Sequence, residues 1–292
     1  MSIKADIGFF ISIILEAIYN LFRWTPFGPK NCHIDGRLDG KVCVITGATA
    51  GIGRVVAKEL VDKGAKVIIG CRDVEKGRQV CDEILNDMPT ARVECRHLDL
   101  ASFASVRQFV TELDSEIQID VLVNNGAVMM VPQSKTVDGN DITLQINYLS
   151  HFMLTLLLVD KLKASPLARV VNVVSASYSR TAPKGIIFED INNDNNDKCG
   201  HSSHLSYCRS KLALIWFSRQ LAKRLEGTNV HIYAVYPGLC RTSLVRHMTG
   251  LYAIILKSFG WLAFRSPQLA AQTILFCITD KETGRENGHY YR

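Results

Sequence analysis

The sequence predicts an α/β fold, a single doubly wound parallel sheet that follows an apolar anchor helix at the amino terminus. From Lys41 onward, short β-branched runs alternate with amphipathic helical patterns, as a parallel sheet with helices on both faces requires. A glycine-rich turn joins the first of these runs to the first helical pattern. The apolar run at residues 7–22 stands outside this alternation and is interpreted separately.

The composition is that of one sizeable globular domain. Of 292 residues, 47% are hydrophobic and 21% are charged, which supplies enough apolar side chains for a well-filled core. The net charge of +6 is spread along the chain and not gathered into basic runs, which disfavours a nucleic-acid partner. The nine cysteines lack paired CxxC spacing and lie mostly in apolar stretches, so we interpret them as reduced thiols on the cytosolic side and predict no metal site.

The apolar run at residues 7–22 would be about 24 Å long as a helix, against about 30 Å of hydrocarbon in a bilayer. Glu16 and Asn20 interrupt it, so a core or docking helix is the alternative. No small-residue cleavage site follows it. We therefore predict that residues 1–24 are a retained membrane anchor.

A linker and the globular domain are expected beyond the anchor. Residues 25–39 contain proline and glycine and are predicted to be the linker, and residues 40–292 are predicted to be the domain. More basic residues follow the anchor than precede it. By the positive-inside rule, this asymmetry favours a domain that faces the cytosol.

The first predicted strand, residues 42–46, ends in the sequence TGATAGIG. Gly47, Gly51 and Gly53 let the chain turn sharply and bring backbone N–H groups up to a pyrophosphate at the positive end of the next helix. A glycine-rich segment is often an ordinary turn. Its position between a strand and a helix nevertheless favours a nucleotide site.

The second predicted strand, residues 66–70, is followed by Cys71 and Arg72. An NAD-selective site usually has a carboxylate here for the ribose 2′-hydroxyl, whereas an arginine can pair with the 2′-phosphate of NADP. Cys71 cannot fill the first role, and Arg72 can fill the second. The alternative is an exposed arginine ahead of a helix that Asp73 caps.

The third and fourth predicted strands, residues 92–96 and 120–123, lead to Asp99 and to the sequence NNGA at residues 124–127. Ligands bind outside the carboxyl ends of parallel strands, so Asp99 is expected near the adenine, with turn chemistry as the alternative. Paired asparagines and a glycine at a strand end allow an unusual backbone close to a ligand, although such segments also form plain turns.

Tyr207 and Lys211 lie four residues apart in the apolar-periodic segment LSYCRSKLAL, so a helix would place them on one face. A phenol normally loses its proton near pH 10, and a neighbouring cation can lower its pKa toward neutrality. Such a pair can transfer protons at working pH. The spacing alone is weak evidence, because two side chains on a solvated helix face often show it.

Seven motifs in this chain resemble, in order and approximate spacing, those of the short-chain dehydrogenase/reductases. They are TGATAGIG, Asp99, NNGA, Asn147 in INYLSHF, Ser175 in VNVVSAS, Tyr207 with Lys211, and Pro237-Gly238 ahead of Thr242. The resemblance covers residues 40–291. In detail, the stretches CRDVEKGR, GAVMMVPQSKTVDG, YCRSKLA and PGLCRTSLVRH are similar to the membrane-anchored retinol dehydrogenase branch, which usually prefers NADP(H) and acts on retinoids, steroids or other lipid alcohols and carbonyls.

The resemblance implies a Rossmann-type domain with four catalytic side chains. Tyr207 would exchange a proton with the alcohol or carbonyl oxygen as hydride crosses to or from the nicotinamide. Lys211 would lower the pKa of the phenol and bind the nicotinamide ribose. Ser175 would hold the developing oxyanion, and Asn147, in a helix predicted over residues 138–162, would help keep a water for proton relay. From the residues alone, a turn serine and a buried amide remain the alternatives.

The resemblance also implies the residues that contact NADP(H). Besides Tyr207 and Lys211, they are Gly47, Thr49, Gly51, Ile52, Gly53, Arg72, Asp99, Leu100, Asn125, Gly126, Pro237, Gly238 and Thr242. The chain departs from the family at the fourth-strand motif, which normally ends in Ala-Gly, because Gly126 and Ala127 are exchanged here. Ser177 is the alternative to Ser175 if the fifth strand, predicted over residues 169–174, ends later.

Two further segments receive expectations. The apolar residues 250–264 match the position of the family's substrate-binding loop and are expected to cover an apolar substrate and to touch the bilayer, with core packing as the alternative. The long polar segment between Ser175 and Tyr207 is expected to be a surface excursion.

These inferences predict a membrane-anchored, NADP(H)-dependent oxidoreductase that interconverts a lipophilic alcohol, above all a retinoid, and its aldehyde or ketone. A steroid, a polyprenal or a xenobiotic carbonyl is the alternative substrate. A non-catalytic, NADP-sensing scaffold on the same fold is the alternative class. The expected location is the membrane of the endoplasmic reticulum, with the catalytic domain facing the cytosol, and a homodimer is left open.

Overall fold

The computed structural model describes residues 34, 36–181, 185–188, 191–192, 203–240, 244, 264–281, 283 and 286–292. The predicted anchor at residues 1–24, most of the predicted linker, and all of the predicted lid at residues 250–264 except Phe264 lie outside this part of the chain. Within the described residues, no helix combines the length and the apolar character needed to cross a membrane.

The described chain forms a sheet of seven parallel strands in the order β3-β2-β1-β4-β5-β6-β7. The strands are β1 Val42–Thr46, β2 Lys66–Cys71, β3 Arg92–His97, β4 Val121–Asn124, β5 Ala168–Val173, β6 Val230–Val235 and β7 Tyr290–Tyr291. This arrangement confirms the predicted Rossmann-type α/β fold. Each predicted strand is present, with boundaries that differ by one residue at most.

Helices connect the strands and cover the sheet. They are α1 Gly51–Asp62, α2 Val74–Asp87, α3 Phe103–Glu112, α4 Ile142–Leu144, α5 Ser150–Leu157, α6 Val159–Lys163, α7 Ser203–Arg224 and α8 Pro267–Thr279. A π-helical turn, Gln145–Leu149, joins α4 to α5, and a 3-10 helix, Ala176–Thr181, follows β5.

Alternate strand residues enter two apolar cores, one on each face of the sheet. Val44 and Leu122 belong to the core that α3, α5 and α7 complete. Ile45 and Val123, one position further along the same strands, belong to the core under α1, α2 and α8. Both faces of the central strands are therefore packed, so the carboxyl ends of these strands lie between two cores.

The helix predicted over residues 138–162 is shorter and broken. Gly139 has a φ of +81° in a turn before the helix, and Asp141 then caps it by accepting a hydrogen bond from the Leu144 N–H at 2.8 Å. The π-helical turn follows, in which the Ser150 N–H donates to the carbonyl of Gln145, five residues earlier. Periodicity of side chains registers a continuous apolar face and does not report such a change of backbone pairing.

Candidate active site

The candidate site lies at the carboxyl edge of the sheet, where the strand order changes direction between β1 and β4. Connections leave this point toward opposite faces of the sheet and open a crevice, in which ligands of such folds bind. The turns after β1 and β4 meet there, since a Cβ atom built on Gly47 would lie 2.6 Å from the Cα of Gly126. Gly47 also has a φ of +68°, so both the space and the backbone conformation require glycine.

Asn125 fastens the glycine-rich turn to the end of β1. Its Nδ2 donates to the carbonyl oxygens of Thr46 at 3.0 Å and Gly47 at 3.1 Å. The backbone N–H groups of Asn125 and Gly126 donate to Thr46 Oγ1 at 3.0 and 2.9 Å. A Cβ atom on Gly53 would lie 2.5 Å from the same Nδ2, so α1 packs directly on this amide. The two motifs therefore form one rigid unit.

Helix α1 presents an uncapped amino terminus to the crevice. Its N-cap residue, Ala50, makes no side-chain hydrogen bond to the first turn. The first N–H groups of a helix have no intrahelical partner and carry the positive end of the helix dipole. A phosphate group satisfies both features, so this end of α1 fits the pyrophosphate of a dinucleotide.

A cavity of about 770 Å³ connects these features. Of the predicted site residues that the structure describes, all except Asn147 line it. Those residues are Gly47, Thr49, Gly51, Ile52, Gly53, Arg72, Asp99, Leu100, Asn125, Gly126, Ser175, Tyr207, Lys211, Pro237 and Gly238. The remaining predicted contact, Thr242, lies outside the described residues.

Three charged residues surround the end of the cavity that follows β2. Arg72 is exposed and lines the cavity together with Asp73 and Lys76. Asp73 caps α2 by accepting the Lys76 N–H at 3.1 Å, and its carboxylate also pairs with Lys76 Nζ at 2.8 Å. The hydrogen bond from the Lys76 side chain, and next the one from its backbone N–H, hold the pKa of Asp73 below its usual value. The predicted arginine and the predicted helix cap are thus both present, and Lys76 is a cation that the sequence analysis did not single out.

Asp99 shows the turn chemistry that was its alternative and also lies in the cavity wall, while its place near an adenine stays a prediction. It lines the cavity, and its Oδ1 accepts the N–H of Ala101 at 2.9 Å, which is turn chemistry. The next residue, Leu100, packs against the exchanged glycine, because a Cβ atom on Gly126 would lie 2.9 Å from Leu100 Cδ1. The exchange therefore places the glycine where the leucine packs.

Tyr207, Ser175 and Lys211 converge in the cavity from α7 and the end of β5. The Ser175 side chain lies near the Tyr207 hydroxyl and acts to lower the pKa of the phenol. Lys211 Nζ lies 5.7 Å from the centre of the Tyr207 ring and donates to the carbonyl of Val173 at 2.8 Å. Ser177 also lines the cavity, and its N–H donates to Ser175 Oγ at 3.2 Å. Of the two candidate serines, Ser175 is the one whose side chain affects the pKa of the phenol.

The electrostatics of this group correct one expectation. Burial raises the pKa of Tyr207 to about 12, and the Ser175 side chain offsets only part of the rise. Burial also lowers the pKa of Lys211 to about 7. The sequence analysis predicted a phenol pKa displaced toward neutrality by the ammonium, but here desolvation dominates and displaces both groups toward their neutral forms.

Asn147 lies behind the cavity wall, in the π-helical turn, and is fully buried. Its Oδ1 accepts the N–H of Val128 at 2.8 Å, and its Nδ2 donates to the Val128 carbonyl at 2.9 Å and to Ser210 Oγ at 3.1 Å. Ser210 in turn donates to the Tyr207 carbonyl at 2.7 Å. The Asn147 side chain therefore links the loop after β4 to the helix that carries Tyr207, which fits a buried, satisfied amide.

Sequence reasoning missed three residues that support this arrangement, namely Thr46, Lys76 and Ser210. Each stands inside a motif that was recognised, at the start of TGATAGIG, in CRDVEKGR and in YCRSKLA. The partners of Thr46 and Ser210 are distant in sequence, since Thr46 bonds the backbone of residues 125 and 126, and Ser210 bonds residue 147. The motif in which each residue stands therefore does not indicate what it will bond.

Comparisons with known sequences agree with this geometry. The family model described as short chain dehydrogenase matches residues 41–187. Human retinol dehydrogenase 12 is 42% identical over 261 residues, covering 89% of this chain and 80% of the relative. Human retinol dehydrogenase 11 is 42% identical over 264 residues, with coverage of 89% and 79%. Mouse retinol dehydrogenase 13 is 39% identical over 266 residues, with coverage of 89% and 78%.

Solved structures show the same fold. An uncharacterised protein from Mycobacterium paratuberculosis is similar, with a TM-score of 0.69 and 30% identity, and the match covers 89% of this chain and 84% of that chain. The RhlG/NADP active-site complex of Pseudomonas aeruginosa has a TM-score of 0.69 at 24% identity, with coverage of 89% and 97%. At 24% identity, the similarity to the Pseudomonas aeruginosa protein shows a shared fold and no more.

Proposed function

The chain belongs to the short-chain dehydrogenase family and is a retinol dehydrogenase-like oxidoreductase that acts on CH–OH donors. On this premise, we propose that it interconverts a retinoid alcohol and its aldehyde with NADP(H). The observation that carries the proposal is that one cavity holds both the uncapped, glycine-lined terminus of α1 and the side chains of Tyr207, Ser175 and Lys211. A nicotinamide cofactor, when bound, supplies the hydride acceptor or donor.

The proposed proton chemistry uses Tyr207 as the acid or base. With its pKa raised to about 12, the phenol keeps its proton at neutral pH, which is the form that donates to a carbonyl oxygen during reduction. Ser175, which lines the same cavity and acts on the pKa of that phenol, would donate to the same substrate oxygen as negative charge develops. Lys211, with its pKa lowered to about 7, can exchange a proton near neutral pH, and we assign it to proton relay. Asn147 is assigned a supporting role, in which its hydrogen bond to Ser210 holds the helix that carries Tyr207 and Lys211.

We assign the preference for NADP(H) to Arg72. It lies at the end of β2, where the strand offers Cys71 in place of a carboxylate, and it lines the cavity. A guanidinium group binds a phosphate through paired, charge-assisted hydrogen bonds. Lys76 adds positive charge at the same end, although Asp73 neutralises part of it through their 2.8 Å ion pair.

Replacing Arg72 by alanine is expected to raise the Kd for NADPH about 10- to 100-fold, because the 2′-phosphate loses a charge-assisted partner. The Kd for NADH, which lacks that phosphate, should change much less. Titration of nucleotide fluorescence measures both constants. Lys58→Ala is the matched control, since Lys58 is a cation that pairs with Asp87 at 2.5 Å outside the cavity. Equal weakening of NADPH and NADH would show that Arg72 is not the phosphate partner.

Two observations support a retinoid substrate. The first is the identity of 36% to 42% with retinol dehydrogenases over most of the chain. The second is the apolar character of the cavity beyond the phosphate-binding end, where the lining includes Val128, Met129, Ile146, Val174, Leu239 and Phe264. A long hydrocarbon substrate gains burial energy from such walls, whereas a small polar carbonyl does not.

A substrate panel tests the proposal directly. The full chain, purified in detergent, is assayed with NADPH or NADH and with all-trans-retinal, a steroid ketone, a polyprenal and a small aromatic aldehyde. We expect the highest kcat/KM with all-trans-retinal and NADPH. A steroid or polyprenal preferred over retinal would replace the substrate but keep the reaction. Tight NADPH binding without oxidation of NADPH by any substrate would instead favour the non-catalytic scaffold.

Attachment to the membrane of the endoplasmic reticulum by residues 1–24, with the catalytic domain facing the cytosol, stays a prediction from the sequence, as does a homodimer. The apolar run at residues 7–22 and the basic residues after it support the first of these. Substrate entry from a lipid phase would suit the apolar cavity.

A further inference from the structure

His151 is a fully buried histidine that the proposed chemistry does not use. It is the second residue of α5, directly after the π-helical turn. A buried imidazole is costly unless both of its nitrogens have hydrogen-bond partners. Here both do, since Nε2 lies 2.9 Å from Thr46 Oγ1 and Nδ1 lies 3.1 Å from the backbone carbonyl oxygen of Asn147. The ring therefore connects the end of β1 to the turn that carries Asn147.

The chemistry of the partners fixes the direction of these hydrogen bonds. The Asn147 carbonyl can only accept, so Nδ1 must carry the hydrogen. Burial lowers the pKa of His151 to about 4, with a smaller contribution from the charge of Lys211, so the ring is neutral and Nε2 has a lone pair to offer. The Thr46 hydroxyl then donates to Nε2 at 2.9 Å, which is the nearer of its two acceptors, since the Val123 carbonyl oxygen lies 3.5 Å away.

This direction leaves the Thr46 oxygen free to accept. Both lone pairs are used, by the N–H groups of Asn125 at 3.0 Å and Gly126 at 2.9 Å. If Nε2 instead carried the hydrogen, Thr46 would have to accept from it as well, in competition with these two bonds. His151 thereby sets the orientation in which Thr46 holds the floor of the cavity, between the glycine-rich turn and the loop after β4.

The other end of the ring acts on the turn that carries Asn147. The side chain of Asn147 is already committed to Val128 and Ser210, and its backbone carbonyl receives the imidazole N–H. The segment formed by residues 125–128 is thus held at one end by Thr46, which His151 bonds, and at the other end by Asn147. Ser210 extends the same set of bonds to the backbone of Tyr207.

We propose that His151 is a positioning residue, which holds the floor at Asn125 and Gly126 and the Asn147 turn in register with Tyr207. The inference rests on the proposed function, because register matters only if hydride and proton transfer occur between these groups. Displacement of reacting groups by about 1 Å can lower a rate about 100-fold. The ring itself bonds only Thr46 and Asn147 among the described residues, and not the phosphate-binding residues of α1 or Arg72.

The test is His151→Leu, which fills the site with an apolar side chain of similar bulk and removes both hydrogen bonds of the ring. We expect the single-turnover rate of hydride transfer, measured per folded molecule with saturating NADPH, to fall about 100-fold. The Kd for NADPH should change less than about threefold, because the phosphates keep their partners. A rate within about threefold of the unchanged chain in a folded variant would overturn the proposal, as would a loss confined to NADPH affinity.

Thr155→Val is the matched control. Thr155 lies one turn further along α5, is buried, accepts from Asn124 Nδ2 at 2.9 Å and donates to the His151 backbone carbonyl at 2.7 Å. It does not line the cavity. Removing this hydroxyl tests the loss of buried hydrogen bonds in the same helix, and we expect a hydride-transfer rate within about threefold of the unchanged chain. An equal loss in both variants would overturn the positioning role in favour of general destabilisation.

A spectroscopic measurement on the unchanged protein decides the hydrogen-bond arrangement even if His151→Leu fails to fold. With ¹⁵N-labelled histidine, the ring of His151 should show the neutral Nδ1–H tautomer and should not titrate between pH 8 and about 5. The Nε2–H tautomer, or titration near the usual pKa of about 6.5, would overturn the inference. Absence of turnover with every substrate of the panel would defeat the proposed function, while the tautomer would still report on the His151 link.

Discussion

Replacing Tyr207 by phenylalanine is expected to lower kcat about 10²- to 10⁴-fold and to leave the Kd for NADPH nearly unchanged. The substitution removes the only atom of the ring that can exchange a proton with substrate, and it keeps the ring that packs in the cavity wall. The phosphate-binding residues at the other end of the cavity are not altered. Steady-state assays with all-trans-retinal and fluorescence titration of NADPH measure the two quantities.

Tyr233→Phe is the matched control for this change. Tyr233 is fully buried on β6, and its hydroxyl donates to the Thr283 carbonyl at 2.7 Å, away from the cavity. The control should lose some stability and should keep kcat per folded molecule, since it touches none of the proposed chemistry. A Tyr207→Phe variant as active as the unchanged chain would remove the phenol from the mechanism.

Replacing Asp120 by alanine is expected to lower the free energy of unfolding by about 3 kcal/mol. The buried carboxylate precedes β4 and accepts hydrogen bonds from Lys41 Nζ at 2.9 Å, the Val42 N–H at 2.9 Å, Gln118 Nε2 at 3.0 Å and Ser165 Oγ at 2.6 Å. Without it, the Val42 N–H and the Ser165 hydroxyl lose a partner in the interior. Urea denaturation of the purified chain measures the difference.

The stabilisation by Asp120 should also depend on pH. Burial by itself would raise the pKa of this carboxyl, but the four hydrogen bonds outweigh burial and hold the pKa below its usual value. The contribution is therefore fully present above the pKa of the unfolded chain, about 3.9, and is lost as the pH falls through the lower pKa of the folded state. The difference in stability between the two proteins should shrink below about pH 4.

Measuring kcat distinguishes a loss of stability in Asp120→Ala from damage to the active site. Asp120 lies at the edge of the sheet opposite the cavity, so folded Asp120→Ala should keep its kcat. The exposed pair Lys58 and Asp87 provides a contrast, because Asp87→Ala removes a carboxylate from a solvated ion pair and should change stability little. If Asp87→Ala lowered the free energy of unfolding as much as Asp120→Ala does, the hydrogen bonds around Asp120 would contribute no more to stability than an exposed ion pair.

The fold and most of the cavity lining could be predicted because their signals are local. Short β-branched runs indicate the strands, the glycine-rich turn lies between a strand and a helix, and Tyr207 and Lys211 are one helical turn apart. Ligand sites of such folds lie at the carboxyl ends of strands, so locating the strands also locates the residues after them. Arg72, Asp99 and Asn125 line the cavity for this reason.

What could not be predicted depends on contacts between distant parts of the chain. The π-helical turn at Gln145–Leu149 interrupts the expected helix without changing its apolar period. The pKa of Tyr207 moves upward because the whole fold excludes water from the phenol, and no neighbour in sequence reports that exclusion. The choice of Ser175 over Ser177 likewise depends on where β5 and α7 approach each other.

The amino-acid sequence by itself determined the order of strands and helices, the glycine-lined turn and the identity of the groups available for hydride and proton transfer, because each is encoded within a window of one or two secondary-structure elements. Only the tertiary structure decided which groups are desolvated and which hydrogen bonds they share. His151 illustrates the difference, since its partners Thr46 and Asn147 lie 105 and four residues away, and only folding brings the first of them into contact with the ring.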